Sequence, residues 1–335
     1  MKIAVDAMGG DNAPAAIIAG GLEAAKLSNG QYEVVFVGDV EKIEKEIARH
    51  PRLNIYPFSI MHASQCISMC EAPAGAFKKK PDASIAVCHK MQRQAKVQAV
   101  VTMGDTGAAM ASALLTLGRL PGIHRPALGS ILPTYSGVTC ILDVGAMMDC
   151  KPKNLLQFAV MGSVFMEQVV GISRPKVGLL SVGKERRKGN ENSMGAYGML
   201  EKGNVNFIGN IEGSDILRGT ADVVVCDGFV GNVLLKFAES VSGLVSLHMK
   251  KHIGKKILSN FGAFLLKPTF KGLRKIWDYE EYGGALLLGA NGVVIIGHGR
   301  STPKAVMNAI QEAAKMVQQG VNEHIKLKMQ VLNGI

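Results

Sequence analysis

The stretch Ala221–Lys236, ADVVVCDGFVGNVLLK, constrains the fold more than any other part of the chain. Val223, Val224 and Val225 form an unbroken β-branched run, the signature of a strand buried on both faces of a parallel sheet. Asp227-Gly228 ends that run. From there Val233, Leu234, Phe237, Val241, Leu244 and Val245 follow a helical period, which places the helix start at Gly231 and Asn232. Unpaired N–H groups at a helix start favour an anion, and glycine lets that anion come close.

The same unit, an apolar strand, a loop with glycine and an acid or amide, then a helix, recurs along the chain. Lys2–Val5 leads into Asp6–Asn12 and a helix near Pro14; Ala99–Thr102 leads into Gly104-Asp105-Thr106-Gly107 and an alanine-rich helix. Further strands are expected at Val34–Val37, Leu53–Tyr56, Lys176–Ser181, Phe207–Ile211 and Val293–Ile296, and a hairpin at Leu128–Leu132 and Val138–Leu142. Helices are expected at Glu41–Arg49, Asp82–Gln94, Pro152–Val170 and from Pro303 to the end. This alternation predicts an α/β fold: a three-layer, doubly wound, mostly parallel sheet covered by helices on both faces. Ligands bind beyond the carboxyl ends of strands in such sheets, so the loops are expected to share one pocket. No G-x-G-x-x-G follows the first strand and no P-loop motif occurs.

The 335 residues read as one α/β catalytic unit, 1–335, with a basic amphipathic helical excursion at about 240–277. Neither a signal peptide nor an apolar run long enough to span a bilayer is evident. The six cysteines show no C-x-x-C spacing and read as reduced thiols, mostly in the core, of a cytoplasmic protein. Lysine and arginine number 38 against 27 acidic residues, a net charge of +11. Eight of those positive charges lie between Glu239 and Asp278, a stretch without an acid, so the excess is local. Within it Ile257, Leu258, Phe261, Phe264 and Leu265 share a helical face flanked by lysines. Buried against the sheet, that face is core; exposed, it faces an anionic membrane surface, which the dense lysines beside phenylalanine favour, or an acidic protein partner. No nucleic-acid motif is present, and aromatics are only 5% of the chain, which argues against a nucleic-acid partner.

The candidate site is the collection of loop tips. Asp227, Asn232 and Lys184 are the candidate catalytic residues. Candidate substrate- or phosphate-binding residues are Asp6, Gly9, Gly10, Asp11, Gly104, Asp105, Thr106, Gly107, Asp143, Lys151, Lys188, Asn190, Glu191, Gly228, Gly231 and His298. Gly145 and Asp149 belong to the same loops, and Arg119 and Arg125 are further cations able to neutralise a phosphate. No serine or cysteine has an evident base partner, so direct transfer between two bound substrates is expected rather than a covalent enzyme intermediate. No metal site or cofactor is expected.

Five stretches carry a resemblance: DAMGGD (6–11), LDVGAMMDCKP (142–152), GNIEGSDI (209–216), ADVVVCDGFVGNVLLK and DYEEYGGALLLGANGVVIIGHG (278–299). In order and over the whole chain they resemble the bacterial phosphate acyltransferases of glycerolipid synthesis, the PlsX family. The resemblance implies transfer of a long-chain fatty acyl group from acyl-carrier protein to inorganic phosphate, giving acyl phosphate for a membrane glycerol-3-phosphate acyltransferase. It also implies a homodimer at the inner face of the cell membrane, with a sheet of the phosphotransacetylase and isocitrate or isopropylmalate dehydrogenase type. Asp105 and Met147 depart from the family pattern, which usually has asparagine at both. Two other readings stay open: an NAD-dependent decarboxylating dehydrogenase on the same sheet, and a non-catalytic membrane-surface adaptor.

Overall fold

The computed structural model describes residues 1–68, 71, 77, 79–253 and 279–333. The expected membrane-facing residues Ile257, Leu258, Phe261, Phe264 and Leu265 lie outside them. The strands are β1 (Lys2–Asp6), β2 (Glu33–Gly38), β3 (Phe58–His62), β4 (Ala99–Thr102), β5 (Ala127–Thr134), β6 (Gly137–Leu142), β7 (Lys176–Leu180), β8 (Asn206–Ile211), β9 (Val223–Val225), β10 (Ala285–Leu288) and β11 (Val293–Ile296). They form one 11-stranded sheet in the order β3-β2-β1-β4-β11-β10-β5-β6-β9-β7-β8.

Alternation along the strands explains the three layers. Ile3 and Val5 of β1, Val101 of β4, Val223 and Val225 of β9 and Ile295 of β11 enter the core on one face. Ala4, Val100, Val224 and Val294, their neighbours in sequence, enter the core on the other. Successive side chains in a strand point to opposite faces, so runs apolar throughout need cover on both. The first face is covered by α1 (Ala15–Leu27), α2 (Val40–Ile47), α5 (Pro152–Phe165), α6 (Glu191–Lys202), α9 (Pro303–Gln318) and α10 (Val321–Asn333). The second is covered by α3 (Ser84–Arg93), α4 (Thr106–Thr116), α7 (Gly213–Arg218) and α8 (Gly228–Ile253).

The polarity of the sheet changes the functional reading. β10 is antiparallel to both β11 and β5, and β5 is antiparallel to β6. Every other neighbouring pair is parallel. Three reversals leave β6, β9, β7 and β8 running opposite to β1, β2, β3, β4 and β11. Carboxyl ends therefore lie on one edge of the sheet for one half and on the other edge for the other half.

Three further expectations are corrected. Leu53–Tyr56 is not a strand: Leu53 and Tyr56 donate N–H bonds back to His50 and Leu53, Ile55 is 76% exposed, and the strand begins only after Pro57, at Phe58. Proline lacks the ladder N–H, so pairing with β2 starts beyond it. The helix after β9 begins at Gly228, three residues before the expected start, because Asp227 caps it. The closing helix is two helices, broken at Gly320, whose φ of 58° suits a residue without a β-carbon.

Between α3 and α4, His89 is fully buried, with Nδ1 2.8 Å from Ser112 Oγ and Nε2 without a partner. Burial lowers its pKa from 6.5 to about 3. The unfolded chain therefore binds a proton that the folded one does not, and stability falls as pH drops from 6.5 towards 3. The expected slope is about 1.4 kcal/mol per pH unit. Asp6 and Asp143, raised by burial, act with opposite sign: their cost eases as pH falls through their folded values. Comparing His89→Gln with the unmodified protein isolates the histidine. Urea denaturation at about pH 5 and pH 6 is expected to show a slope shallower by about one proton in the variant. Equal slopes would refute the assignment.

Candidate active site

On the edge where β6, β9 and β7 end, Asp143 organises the backbone. Its side chain is fully buried, and Oδ1 accepts N–H bonds from Leu128 (2.9 Å), Gly145 (3.1 Å) and Ala146 (2.9 Å) while Oδ2 accepts one from Met147 (2.7 Å). Burial pushes the carboxyl up and the four N–H groups oppose that shift. The carboxylate is thus the hub of the loop 143–147 and has its hydrogen-bonding capacity occupied by protein.

The start of α8 presses against this hub. A β-carbon at Gly231 would lie 1.9 Å from the Asp143 carbonyl oxygen, and one at Gly228 would lie 2.6 Å from Asp143 Oδ2. Their N–H groups are engaged as well: Gly228 donates to the Met147 carbonyl (2.8 Å) and Gly231 to the Asp227 carbonyl (3.0 Å). Asp227 Oδ1 caps the helix by accepting from the Val230 N–H (2.9 Å). This corrects the expectation that Gly228 and Gly231 offer an open cradle of N–H groups: they are glycines so that two loops can touch. The contact brings the half-buried Asn232 side chain against Gly145, with Cγ 3.7 Å from where a β-carbon would stand.

The cations of this edge come from two loops. Lys184, after β7, places Nζ 3.3 Å from Asp215 Oδ2. Asp215 is only 2% exposed, and the Glu212 N–H, then Lys184, hold its carboxyl below the usual range. Asp215 is a member of this candidate site that sequence reasoning missed; the E-x-x-D spacing of Glu212 and Asp215, a reciprocal cap on α7, is the signal that marks it. Asn190 caps α6 through Oδ1 and the Ser193 N–H (2.9 Å), with Glu191 in the first turn. Lys151, ahead of Pro152, and Lys188 are exposed, as is Asp149.

The remaining candidates lie on the opposite edge. Asp6 is 3% exposed; Oδ2 accepts from the Thr102 hydroxyl (2.8 Å) and Oδ1 from the Met8 N–H (3.2 Å). Burial raises its carboxyl, with the Ser84 and Thr102 hydroxyls opposing. Gly9 packs so tightly that a β-carbon would meet Asp6 Oδ2 at 2.6 Å and Gly104 N at 2.9 Å. Gly10 has φ 100°, and the Asp11 N–H donates to the Gly299 carbonyl (2.8 Å). Asp105 Oδ1 accepts from the Ala108 N–H (2.8 Å) and so caps α4, at whose start Thr106 and Gly107 sit. His298 is exposed, and its Nδ1 accepts from the Arg300 N–H (3.2 Å). Asp6, Gly9, Gly104 and Asp105 line a narrow cleft here. Arg119 and Arg125, by contrast, lie on the Asp143 edge. Arg119 donates to the His124 carbonyl and bridges to Ala290 past the end of β10, and the exposed Arg125 immediately precedes β5, whose Leu128 N–H bonds Asp143.

The expected single pocket is therefore two loop groups on opposite edges, because the polarity reversal across β10, β5 and β6 separates carboxyl ends that a uniformly parallel sheet would bring together. Electrostatics distinguish them. Both edges carry carboxylates, Asp6, Asp11 and Asp105 on one and Asp143, Asp149, Asp215, Asp227 and Glu191 on the other. On the latter, however, Asp143 is taken up by four N–H groups, Asp215 by Lys184 and Asp227 by the start of α8, while Lys151 and Lys188 are exposed, so an oxyanion is favoured there. No thiolate is poised there: burial, with Asp143 adding, pushes the Cys150 thiol up to about 12, and Cys226 is also raised by burial.

Comparison with known proteins supplies the family. Residues 1–324 match the family described as "Fatty acid synthesis protein". The chain is 48% identical to the phosphate acyltransferase of Heliobacterium modesticaldum, covering 98% of this chain and 99% of that protein. It is 47% identical to the phosphate acyltransferase of Pelotomaculum thermopropionicum, covering 97% of this chain and 94% of that protein. In three dimensions it is similar to the EutD phosphotransacetylase of Staphylococcus aureus, with a TM-score of 0.62 at 14% identity, covering 95% of this chain and 94% of that one. A phosphotransacetylase of Streptococcus pyogenes gives the same TM-score of 0.62 at 17% identity with the same coverage, 95% and 94%. The structural likeness is one of fold, the α/β architecture with its large, mostly parallel sheet. On the sequence match over nearly its full length, the chain belongs to the phosphate acyltransferase family.

Proposed function

We propose that this phosphate acyltransferase takes a long-chain acyl group from acyl-carrier protein and transfers it to inorganic phosphate, producing acyl phosphate for phospholipid synthesis. The observation that carries the reading is the likeness to phosphate acyltransferases over nearly the whole chain. A phosphate oxygen attacks the thioester carbonyl carbon, the C–S bond breaks, and the carrier thiolate leaves and takes a proton from solvent. Phosphate is already largely dianionic near neutral pH and needs little help from a base. Lys184 and Lys188 neutralise it, and the Asn232 amide donates to the carbonyl oxygen as negative charge develops. Asp215 is a positioning residue for Lys184, and Asp227 fixes the start of α8 beside Asn232.

The test is to incubate purified protein with acyl-carrier-protein thioester and phosphate and to measure acyl phosphate. Phosphate-dependent product is expected. Lys184→Ala is expected to lower kcat/KM by roughly a hundredfold with unchanged far-ultraviolet circular dichroism. No product from either carrier-protein or coenzyme A thioesters would rule the reading out. The dehydrogenase alternative requires a carboxylate cluster for a divalent cation; among the described residues no three His, Cys, Asp or Glu side chains form one.

The same proposal places the protein as a homodimer at the inner membrane face. No described helix is long and apolar enough to cross a membrane. The exposed apolar residues Phe229, Val233, Phe237 and Leu244 of α8 support a partner surface leading towards the basic segment. Phe261→Asp combined with Leu265→Asp is expected to weaken binding to anionic vesicles in a flotation assay while sparing folding. Unchanged vesicle affinity would remove that segment from the membrane contact.

A further inference from the structure

A cavity of about 240 Å³ lies at the opposite end of the elements that carry the catalytic loops. It is bounded by the end of α5, the starts of β7 and β8, and α10; Glu167, Arg174, Asn204, Asn206 and Lys328 supply its polar lining. Two features set it apart from an ordinary surface dent. Glu167 sits in a π-helical turn, Met166–Val170, that widens the end of α5, a rare conformation concentrated at functional positions. Arg174 holds φ 51°, the left-handed region that a residue with a long side chain seldom adopts.

The charged groups are also uncommitted. Arg174, Lys328 and Glu167 form no ion pair among the described residues, whereas Lys184, Arg186 and Lys2 all do. Asn206 uses Nδ2 to bond the Arg174 carbonyl at 2.9 Å, which holds that backbone at the rim. Two cations and one carboxylate lining the same cavity, together with the side-chain amides of Asn204 and Asn206, match a ligand with a doubly charged anionic head and a donor-bearing tail. At about 240 Å³ the cavity falls just below the usual range for ligand pockets, which suits a small polar molecule and not a long acyl chain.

We propose that this cavity is a second binding site, for a small phosphate monoester whose tail carries an ammonium or hydroxyl group. Arg174 and Lys328 take the phosphate, and Glu167 takes the tail. The site is separate from the transfer chemistry. β7 begins beside the cavity and ends at Leu180, ahead of Lys184, so the two lie about 17 Å apart along the strand. α5 makes the same traverse, from Lys151 at its cap to Glu167 in the turn that follows it. The proposal does not rest on the identity of the acyl donor.

The experiment is hydrogen exchange by mass spectrometry on the full chain, with O-phosphoethanolamine, ethyl phosphate and inorganic phosphate as separate probes. O-Phosphoethanolamine is expected to slow exchange in peptides covering 163–176 and 203–206, saturating with a Kd below about 1 mM. R174A/K328A is expected to weaken this at least roughly tenfold, and E167Q to abolish the preference for O-phosphoethanolamine over ethyl phosphate. Arg174 and Lys328 are both exposed, and K328A alone serves if the double variant does not fold. Absence of protection in these peptides at about 10 mM probe would overturn the proposal. So would protection that persists when the cations are removed. Protection by inorganic phosphate equal to that by O-phosphoethanolamine would refute the assigned tail.

Discussion

Asp143→Ala is expected to destabilise the protein by about 3–5 kcal/mol and to abolish acyl transfer. The substitution removes the acceptor of four N–H bonds in a buried position and leaves Leu128, Gly145, Ala146 and Met147 without their partner. Asp143→Asn separates charge from geometry. An amide oxygen can still accept from Leu128, Gly145 and Ala146, but the amide nitrogen then faces the Met147 N–H, donor against donor. A smaller loss of about 1–3 kcal/mol is expected, with partial activity. Urea denaturation curves of the three proteins, read with their transfer rates, make the comparison. If alanine and asparagine cost the same, the loop is held by something other than this hub.

Gly231→Ala is expected to give the largest functional loss for the smallest chemical change. In an open helix, alanine in place of glycine is stabilising by about 1 kcal/mol. Here the added carbon would lie 1.9 Å from the Asp143 carbonyl oxygen and 3.0 Å from Cys226 Sγ. The first obstacle is backbone and cannot rotate away, so the clash outweighs the propensity gain and α8 is pushed off the 143–147 loop. Overpacking of this kind costs about 1–3 kcal/mol. A displacement of about 1 Å at Asn232 is expected to cost roughly a hundredfold in kcat. Glycine 243, in the same helix with open space around it, is the control: Gly243→Ala should leave the rate unchanged. Full activity in Gly231→Ala would show that Asn232 is not positioned by this contact.

Much of the fold was legible in the chain. The valine run of β9, the strand at Val293–Ile296 and the hairpin of β5 and β6 are read from local composition, because an apolar β-branched run has few places to go except a covered sheet. Legibility failed where local signals compete. Leu53–Tyr56 has the apolar spacing of a strand, but Pro57 moves pairing to Phe58; β10 was hidden in a glycine-rich stretch between two turns. The loops of the site were legible as residue types, and the roles of many were not. Asp105, Asn190 and Asp227 each cap a helix, and Gly9, Gly228 and Gly231 are small because other backbone lies against them.

The sequence alone determined the repeated unit of strand, glycine-acid loop and helix, the cover on both faces of the sheet, and the family, since all three depend on the order and type of neighbouring residues. Only the tertiary structure decided which loops meet. The sense of a strand is set by its partner across the sheet, and the antiparallel β10 and the β5–β6 hairpin reverse that sense midway. For that reason the Asp6 and Asp143 loops, so alike in sequence, lie on opposite edges, and Lys184 has for its partner a carboxylate 31 residues away.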